Sequence, residues 1–319
     1  MYRDLIQPEY DLTTNVDDAD IVVLHREPYD FGALYSKVPS LAHKYVIGCC
    51  VWEASELPDA YKRSISLVQE IWTCSKYCVD IFQPYNSKVV CMPYAVERDK
   101  TCSDQDRSFV RAATGHEPGC VYFLAVTKLD DKRKNVNALI HIFRHCKRAM
   151  PKARLIIKAV GGDVLLKGRD PQIIYLCEEM SNSQINALYE MADVYVSVHH
   201  SEAWGLTISD AMIFRKPVLA TGYSGNLEFM TPENSFLLDF TESYIRPRDC
   251  FGLFHTGMKW AYPRLEDIAE KLLILYEHYR SRLVMEKVAR ASTDIARLSG
   301  TFVKQLLLQR LNDVASSQI

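Results

Sequence analysis

The sequence predicts an α/β protein built on two doubly wound parallel sheets, the N-terminal one short. Three observations carry this. Short apolar runs recur along the chain, separated by stretches of helical spacing. The 319 residues suffice for two domains, each with its own core. Residues 97–119, poor in apolar side chains, divide the runs into two series.

In the first series the strands fall at 20–25, 45–51, 70–74 and 88–93, with a helical stretch at 57–68 and a polar turn at 84–87. Runs this short and this uniformly apolar suit parallel strands covered on both faces. No glycine-rich strand-turn-helix opens the series, so this domain is expected to be trimmed, or the chain to begin inside it.

The second series is more regular. Residues 121–126 read as a strand, and 136–150 as a helix with Val136, Leu139, Ile140 and Phe143 on one face. A strand at 154–160 stops at Gly161-Gly162. Strand 173–176, helix 183–191 with a Ser or Asn cap, strand 193–198, helix 207–214 and strand 217–220 follow. Residues 264–314 are helical and end in an amphipathic stretch. The expected division is residues 1–98 as the first domain, 99–118 as linker, 119–298 as the second domain, and 299–319 as a final helix. That helix crosses back to the first domain or meets a partner or membrane surface; amphipathicity alone does not separate these.

Composition excludes several classes. With 38 basic against 40 acidic side chains, no broad basic field advertises nucleic acid. The ten cysteines include no C-x-x-C pair, and several lie inside apolar runs, as reduced core cysteines do. No metal site is expected from them. His199-His200 point to opposite faces of an extended chain, and His141 and His145 have no third ligand nearby. No apolar run approaches the ~20 residues of a membrane span, and the first residues lack a signal core, so a cytoplasmic protein is expected. No Gly-x-Gly-x-x-Gly follows a strand, which disfavours a nicotinamide dehydrogenase.

The informative segment is His-His-Ser-Glu-Ala-Trp-Gly-Leu-Thr-Ile-Ser-Asp at 199–210. It joins a strand to a helix start, where free N–H groups carry partial positive charge suited to a diphosphate. Gly205 lets the backbone come close to a ligand, and Leu206 and Thr207 open the helix. Glu202 and Asp210 flank the turn, so one carboxylate can face a sugar hydroxyl and the other a ribose diol. The plain alternative is a strand-turn-helix with two solvated carboxylates.

This segment resembles the signature of family 4 of the retaining glycosyltransferases, which have the GT-B fold: two Rossmann-like domains facing across a cleft. The family places two glutamates eight positions apart. This chain has Glu202-Ala-Trp-Gly-Leu at the first, and its continuation through Ala211…Gly225-Asn226 and Gly257-Met-Lys-Trp-Ala-Tyr-Pro263 is similar to the family's. Val51-Trp-Glu53, Leu57-Pro58, Glu70-Ile-Trp72, Ser75 and Met92-Pro93 look like landmarks of one branch. The resemblance implies that Glu202 acts on the donor sugar. It puts Asp210 where a glutamate holds the ribose, with one methylene fewer. It implies a phosphate clamp from Lys128 and Lys134, catalysis without a metal, and retention of anomeric configuration. Donor contacts are expected also at Gly161, Ser224 and Asn226, with base contacts near Cys177 and Glu178. His25, at a strand end of the first domain, is expected to be catalytic from the acceptor side, and Trp52 and Glu53, also at a strand end, to contact the acceptor.

The function expected is transfer of a sugar from a nucleotide-diphospho-sugar (UDP-, GDP- or ADP-linked) to a glycan, lipid-linked or small-molecule acceptor, with no cofactor. Peripheral membrane contact is compatible with it. The alternative is a glycosyltransferase-like subunit or scaffold that binds without turnover, with a nucleotide-sugar epimerase as a minor third reading.

Overall fold

The computed structural model describes residues 2–160 and 170–317. Its N-terminal sheet is β1 (Ile21–Leu24), β2 (Tyr45–Cys49), β3 (Glu70–Thr73) and β4 (Val89–Cys91), all parallel and in chain order. The C-terminal sheet contains β5 (Val121–Lys128), β6 (Ala153–Val160), β7 (Ile173–Leu176), β8 (Val194–Ser197), β9 (Val218–Thr221) and β10 (Phe236–Leu238). Its order is β10-β9-β8-β5-β6-β7, again parallel throughout, so the strand order reverses beside β5. Ligands of such sheets bind beyond the carboxyl ends of the strands at the reversal.

Alternation along each strand sorts the cores. Val121, Phe123 and Ala125 of β5 face one core with helices Val136–Cys146 and Leu265–His278, while Tyr122 and Leu124 face the other. In β2, Tyr45 and Ile47 point to a third core, where Val303, Leu307, Leu311 and Val314 of the last helix, Gly300–Ser317, pack. That helix therefore lies on the N-terminal sheet. Beneath it Arg310 clamps the fully buried Glu70 carboxylate, Nη2 to Oε2 at 2.5 Å and Nε to Oε1 at 2.8 Å. Tyr45 and Trp72 donate to the same carboxylate.

Two segments cross between the domains side by side: Val96 N–H donates to the Leu298 carbonyl, and Gly300 N–H to the Glu97 carboxylate. Residues read from sequence as a linker contain a helix, Asp104–Thr114. It starts in a capping box formed by Ser103 and Asp106, ends at left-handed Gly115, and packs on helix Asn182–Met191.

A hairpin of β11 (Phe240–Tyr244) and β12 (Lys259–Pro263) projects from the C-terminal domain. Its loop reaches the other domain. Phe254 stacks flat on Trp52 at 4.5 Å, and Ser55 and Lys259 exchange two hydrogen bonds. No helix among the described residues is long and apolar enough to cross a membrane.

Candidate active site

The turn after β5 and the loop after β8 meet at the carboxyl end of the sheet. Asp131 caps the short turn Lys132–Lys134 by accepting from Arg133 N–H. Asn135, at φ 54°, takes the left-handed conformation that passes the chain into helix Val136–Cys146, and its amide donates to the Val198 carbonyl. His200 N–H donates to the Arg133 carbonyl. The basic turn is thus sewn to the end of β8.

Glu202 is the centre of what this produces. Lys134 Nζ stands 2.5 Å from its Oε1 and Arg133 Nη1 3.1 Å from its Oε2. Burial alone would raise the Glu202 pKa, but Lys134, Arg133 and the neighbouring His199 hold it down at about 2. It is a permanent anion here, not a proton donor. Arg133 also pairs with Asp131 at 2.9 Å and, at 3.8 Å, with Glu53 from the N-terminal domain. Burial and the charge of Glu202 raise the Glu53 pKa against the pull of Arg133.

The loop is fixed from behind. His199 is fully buried, which lowers its pKa to about 4 and leaves it neutral. Asn226 donates its amide to the Thr221 carbonyl, so its oxygen faces His199 and takes the Nε2 proton; His199 Nδ1 then accepts from Ser197. Ser224, at φ 76°, accepts from Glu202 N–H at 2.8 Å, and Gly225 N–H donates to the Glu202 carbonyl. Gly225 has to be glycine: a Cβ there would sit 1.7 Å from the Ala203 oxygen. Gly205, at φ 91°, begins helix Leu206–Ile213, whose first side chain, Leu206, is exposed. Thr207 lines a cavity of about 10 Å³ together with Lys134 and Glu202, its hydroxyl bonded to Tyr195.

Glu202, Lys134, Gly205, Thr207 and Ser224 are therefore brought together. Lys128 is not: its side chain is 60 % exposed and pairs with Asp130, and the second cation on Glu202 is Arg133. Of the three consecutive cations in the turn after β5, Arg133 and Lys134 reach Glu202, while Lys132 donates to the Arg248 and Cys250 carbonyls. Asn226 has no exposed surface and acts as the brace of His199. Asp210 is held by Arg98 from the interdomain crossing at 2.5 Å.

Glu178 offers its carbonyl to the buried Lys158 ammonium, with Cys177 half-buried beside it, while Gly161 lies outside the described residues. Glu53 reaches the cluster, but Trp52 is spent on the stack with Phe254. His25 is exposed and lines a cavity of about 360 Å³ with Glu27, Asp30, Cys50, Cys74 and Tyr94, at the carboxyl ends of the N-terminal strands. Cys74 donates to the Ala203 carbonyl, so that cavity abuts the Glu202 loop. Arg133, Asp131, Arg98 and His199 were not singled out from sequence. Only the run Asp131-Lys132-Arg133-Lys134 and the paired histidines hinted at them.

These features define a GT-B fold with the Glu202 cluster gathered at the carboxyl end of its C-terminal sheet. Comparison with known proteins agrees. Residues 106–244 match the family model of the glycosyl transferases group 1. The fold is similar to that of the pneumococcal O-GlcNAc transferase GtfA in complex with UDP and GlcNAc (TM-score 0.66, 16% identity, 92% of this chain and 57% of that one). It is similar also to HepE of Anabaena in complex with UDP and glucose (0.68, 16%, 98% and 81%) and to a glycosyltransferase from Rickettsia africae (0.69, 14%, 98% and 79%). The chain spans less than three fifths of the length of GtfA. No curated protein matches it in sequence.

Proposed function

We propose that this protein is a retaining, metal-independent glycosyltransferase that takes its sugar from a nucleotide diphosphate held against the C-terminal domain. The observation that carries the reading is Glu202, kept ionised by Lys134 and Arg133 at a glycine-started helix end. In this reading the bond from the anomeric carbon to the diphosphate oxygen breaks, and its electron pair leaves with the diphosphate. Lys134 and the N–H groups at Leu206 and Thr207 neutralise that charge as it forms. Glu202 accepts from hydroxyls of the donor sugar and orients it. The acceptor hydroxyl enters from the cavity beside His25 and Cys74, its oxygen bonds the anomeric carbon on the face the diphosphate leaves, and its proton goes to the departing phosphate. UDP is the first nucleotide to test, since GtfA and HepE were each solved with it.

The test is calorimetry against UDP, GDP and ADP with and without EDTA, followed by donor turnover with the sugar form of whichever binds. Glu202→Gln is expected to lower turnover by roughly 100-fold or more with folding intact, and Lys134→Ala to weaken nucleotide binding about tenfold or more. Unchanged turnover and binding in both variants overturns the assignment. A non-catalytic subunit is favoured by one observation, the small size of the cavity at Glu202. That reading predicts no binding of any of the three nucleotides.

A further inference from the structure

Arg98 carries a contact that neither the signature nor the donor reading calls for. It lies on the crossing between the domains, just after the two parallel connections at Val96 and Glu97. Its Nε donates to Asn186 Oδ1 at 2.7 Å, and its Nη1 to Asp210 Oδ2 at 2.5 Å. Asn186, itself buried, returns its amide to the carbonyls of Asp99 and Thr101. The guanidinium also lies over the Tyr189 ring at 5.8 Å. This is a built arrangement: one arginine, fixed by a planar fork, fixes one oxygen of one carboxylate.

The other oxygen, Oδ1, has no partner among the described residues. Asp210 stands one helical turn after Thr207, on the helix face that Thr207 presents to the cavity of Lys134 and Glu202. An aspartate is a methylene shorter than glutamate and turns more freely toward its own backbone. Held by Arg98, its carboxylate keeps one oxygen locked and the second available.

We infer that Arg98 is a positioning residue for the nucleotide ribose: it aims Asp210 Oδ1 at the ribose diol and ties that contact to the crossing between the domains. The inference rests on the donor site proposed above. In this arrangement the crossing segment senses the ribose and not the diphosphate, because the diphosphate lies at the other end of the same helix, at Gly205 and Lys134.

Calorimetry with two probes tests it: whichever of UDP, GDP and ADP the wild-type chain binds most tightly, and inorganic pyrophosphate, which has no ribose. Arg98→Ala is expected to weaken nucleotide binding about tenfold and leave pyrophosphate within about twofold. Arg98→Lys keeps a charge without the fork and should recover part of the loss; it also serves if the alanine variant does not fold. Asp210→Asn should reproduce the nucleotide-selective loss, and Arg98→Ala added to it should cost nothing further. Equal weakening of both probes, no weakening of either, or additive losses in the double variant overturns the inference. Wild-type protein that binds neither probe instead removes the donor site on which the inference stands.

Discussion

Replacing Arg310 by alanine tests how the last helix is held, and the sign of its pH dependence is the informative part. Glu70 has no exposed surface, and four donor groups reach its carboxylate: two from Arg310, one each from Tyr45 and Trp72. Burial pushes its pKa up, but the hydrogen bonds from Arg310, Trp72 and Tyr45 win and lower it. Wild-type Glu70 therefore contributes stability above the unfolded pKa of about 4.3, and loses it as pH falls through the lower folded value. Without Arg310 the charge is buried against two neutral donors only. Breaking such a pair costs about 3–5 kcal/mol. The Arg310 side chain is 29 % exposed, so the lower end, about 3 kcal/mol at pH 8, is the fitting figure. Burial then dominates and the Glu70 pKa rises above its unfolded value. The variant should lose stability as pH rises, opposite to the wild-type contribution. Urea titrations from pH 5 to 8 measure this, with Glu70→Gln/Arg310→Ala as the partner variant, since a neutral amide removes the buried charge. The double variant should be more stable than Arg310→Ala at pH 8 and show no such pH dependence from position 70. A loss under about 1 kcal/mol at pH 8, or one that does not shrink toward pH 5, would refute the reasoning.

Two further outcomes follow from the site. Gly225→Ala places a carbon 1.7 Å from the Ala203 oxygen, so the Glu202 loop must retreat by more than an ångström and both hydrogen bonds to residues 224 and 225 strain. The expected result is a thermal destabilisation of about 1–3 kcal/mol with nucleotide binding lost; retention of both sinks the packing argument. Because Glu202 is held at about 2, its ionic contribution to stability is present above its unfolded pKa and lost only as pH falls toward 2. The stability difference between wild type and Glu202→Gln should therefore be level from pH 8 to 5, and a difference that shrinks by pH 5 would show that Lys134 and Arg133 do not hold the charge.

What the sequence revealed follows from what each residue buries. β2 is buried along almost its whole length and β5 from Val121 to Ala125, so both read as apolar runs. β11 is exposed along all five residues, Phe-Thr-Glu-Ser-Tyr, and offers no pattern; it is a strand only because β12 pairs with it. Helix Asp104–Thr114 buries little beyond Val110 and Thr114, so no apolar stripe marks it. Its signals were local ones, the Ser103…Asp106 box and Gly115, inside a stretch read as linker. The site divides in the same way. Glu202 and Lys134 were legible because motif and charge coincide there. The contact of Arg133 with Glu202 depends on how the turn after β5 folds, and that of Arg98 with Asp210 joins residues 112 apart in sequence.

The contacts between the domains differ greatly in strength, and the difference has a direction. Across the cleft face lie a stack of Trp52 on Phe254, a thiol bond from Cys74 to Ala203, a carboxylate of Glu228 on the Lys76 N–H, and the long pair Arg133–Glu53. Each is worth about 1 kcal/mol or little more. On the N-terminal sheet, away from these contacts, lies the buried clamp of Glu70 by Arg310, with the apolar packing of Val303, Leu307 and Leu311 around it. The last helix is therefore bound to the first domain by a charge clamp and apolar packing together, not by a single weak contact. The two crossings run side by side where Val96 N–H meets the Leu298 carbonyl and Gly300 N–H meets the Glu97 carboxylate. Arg98 follows directly on the first crossing with its guanidinium on Asp210, so helix Leu206–Ile213 is tied to the connection between the domains through a single side-chain pair.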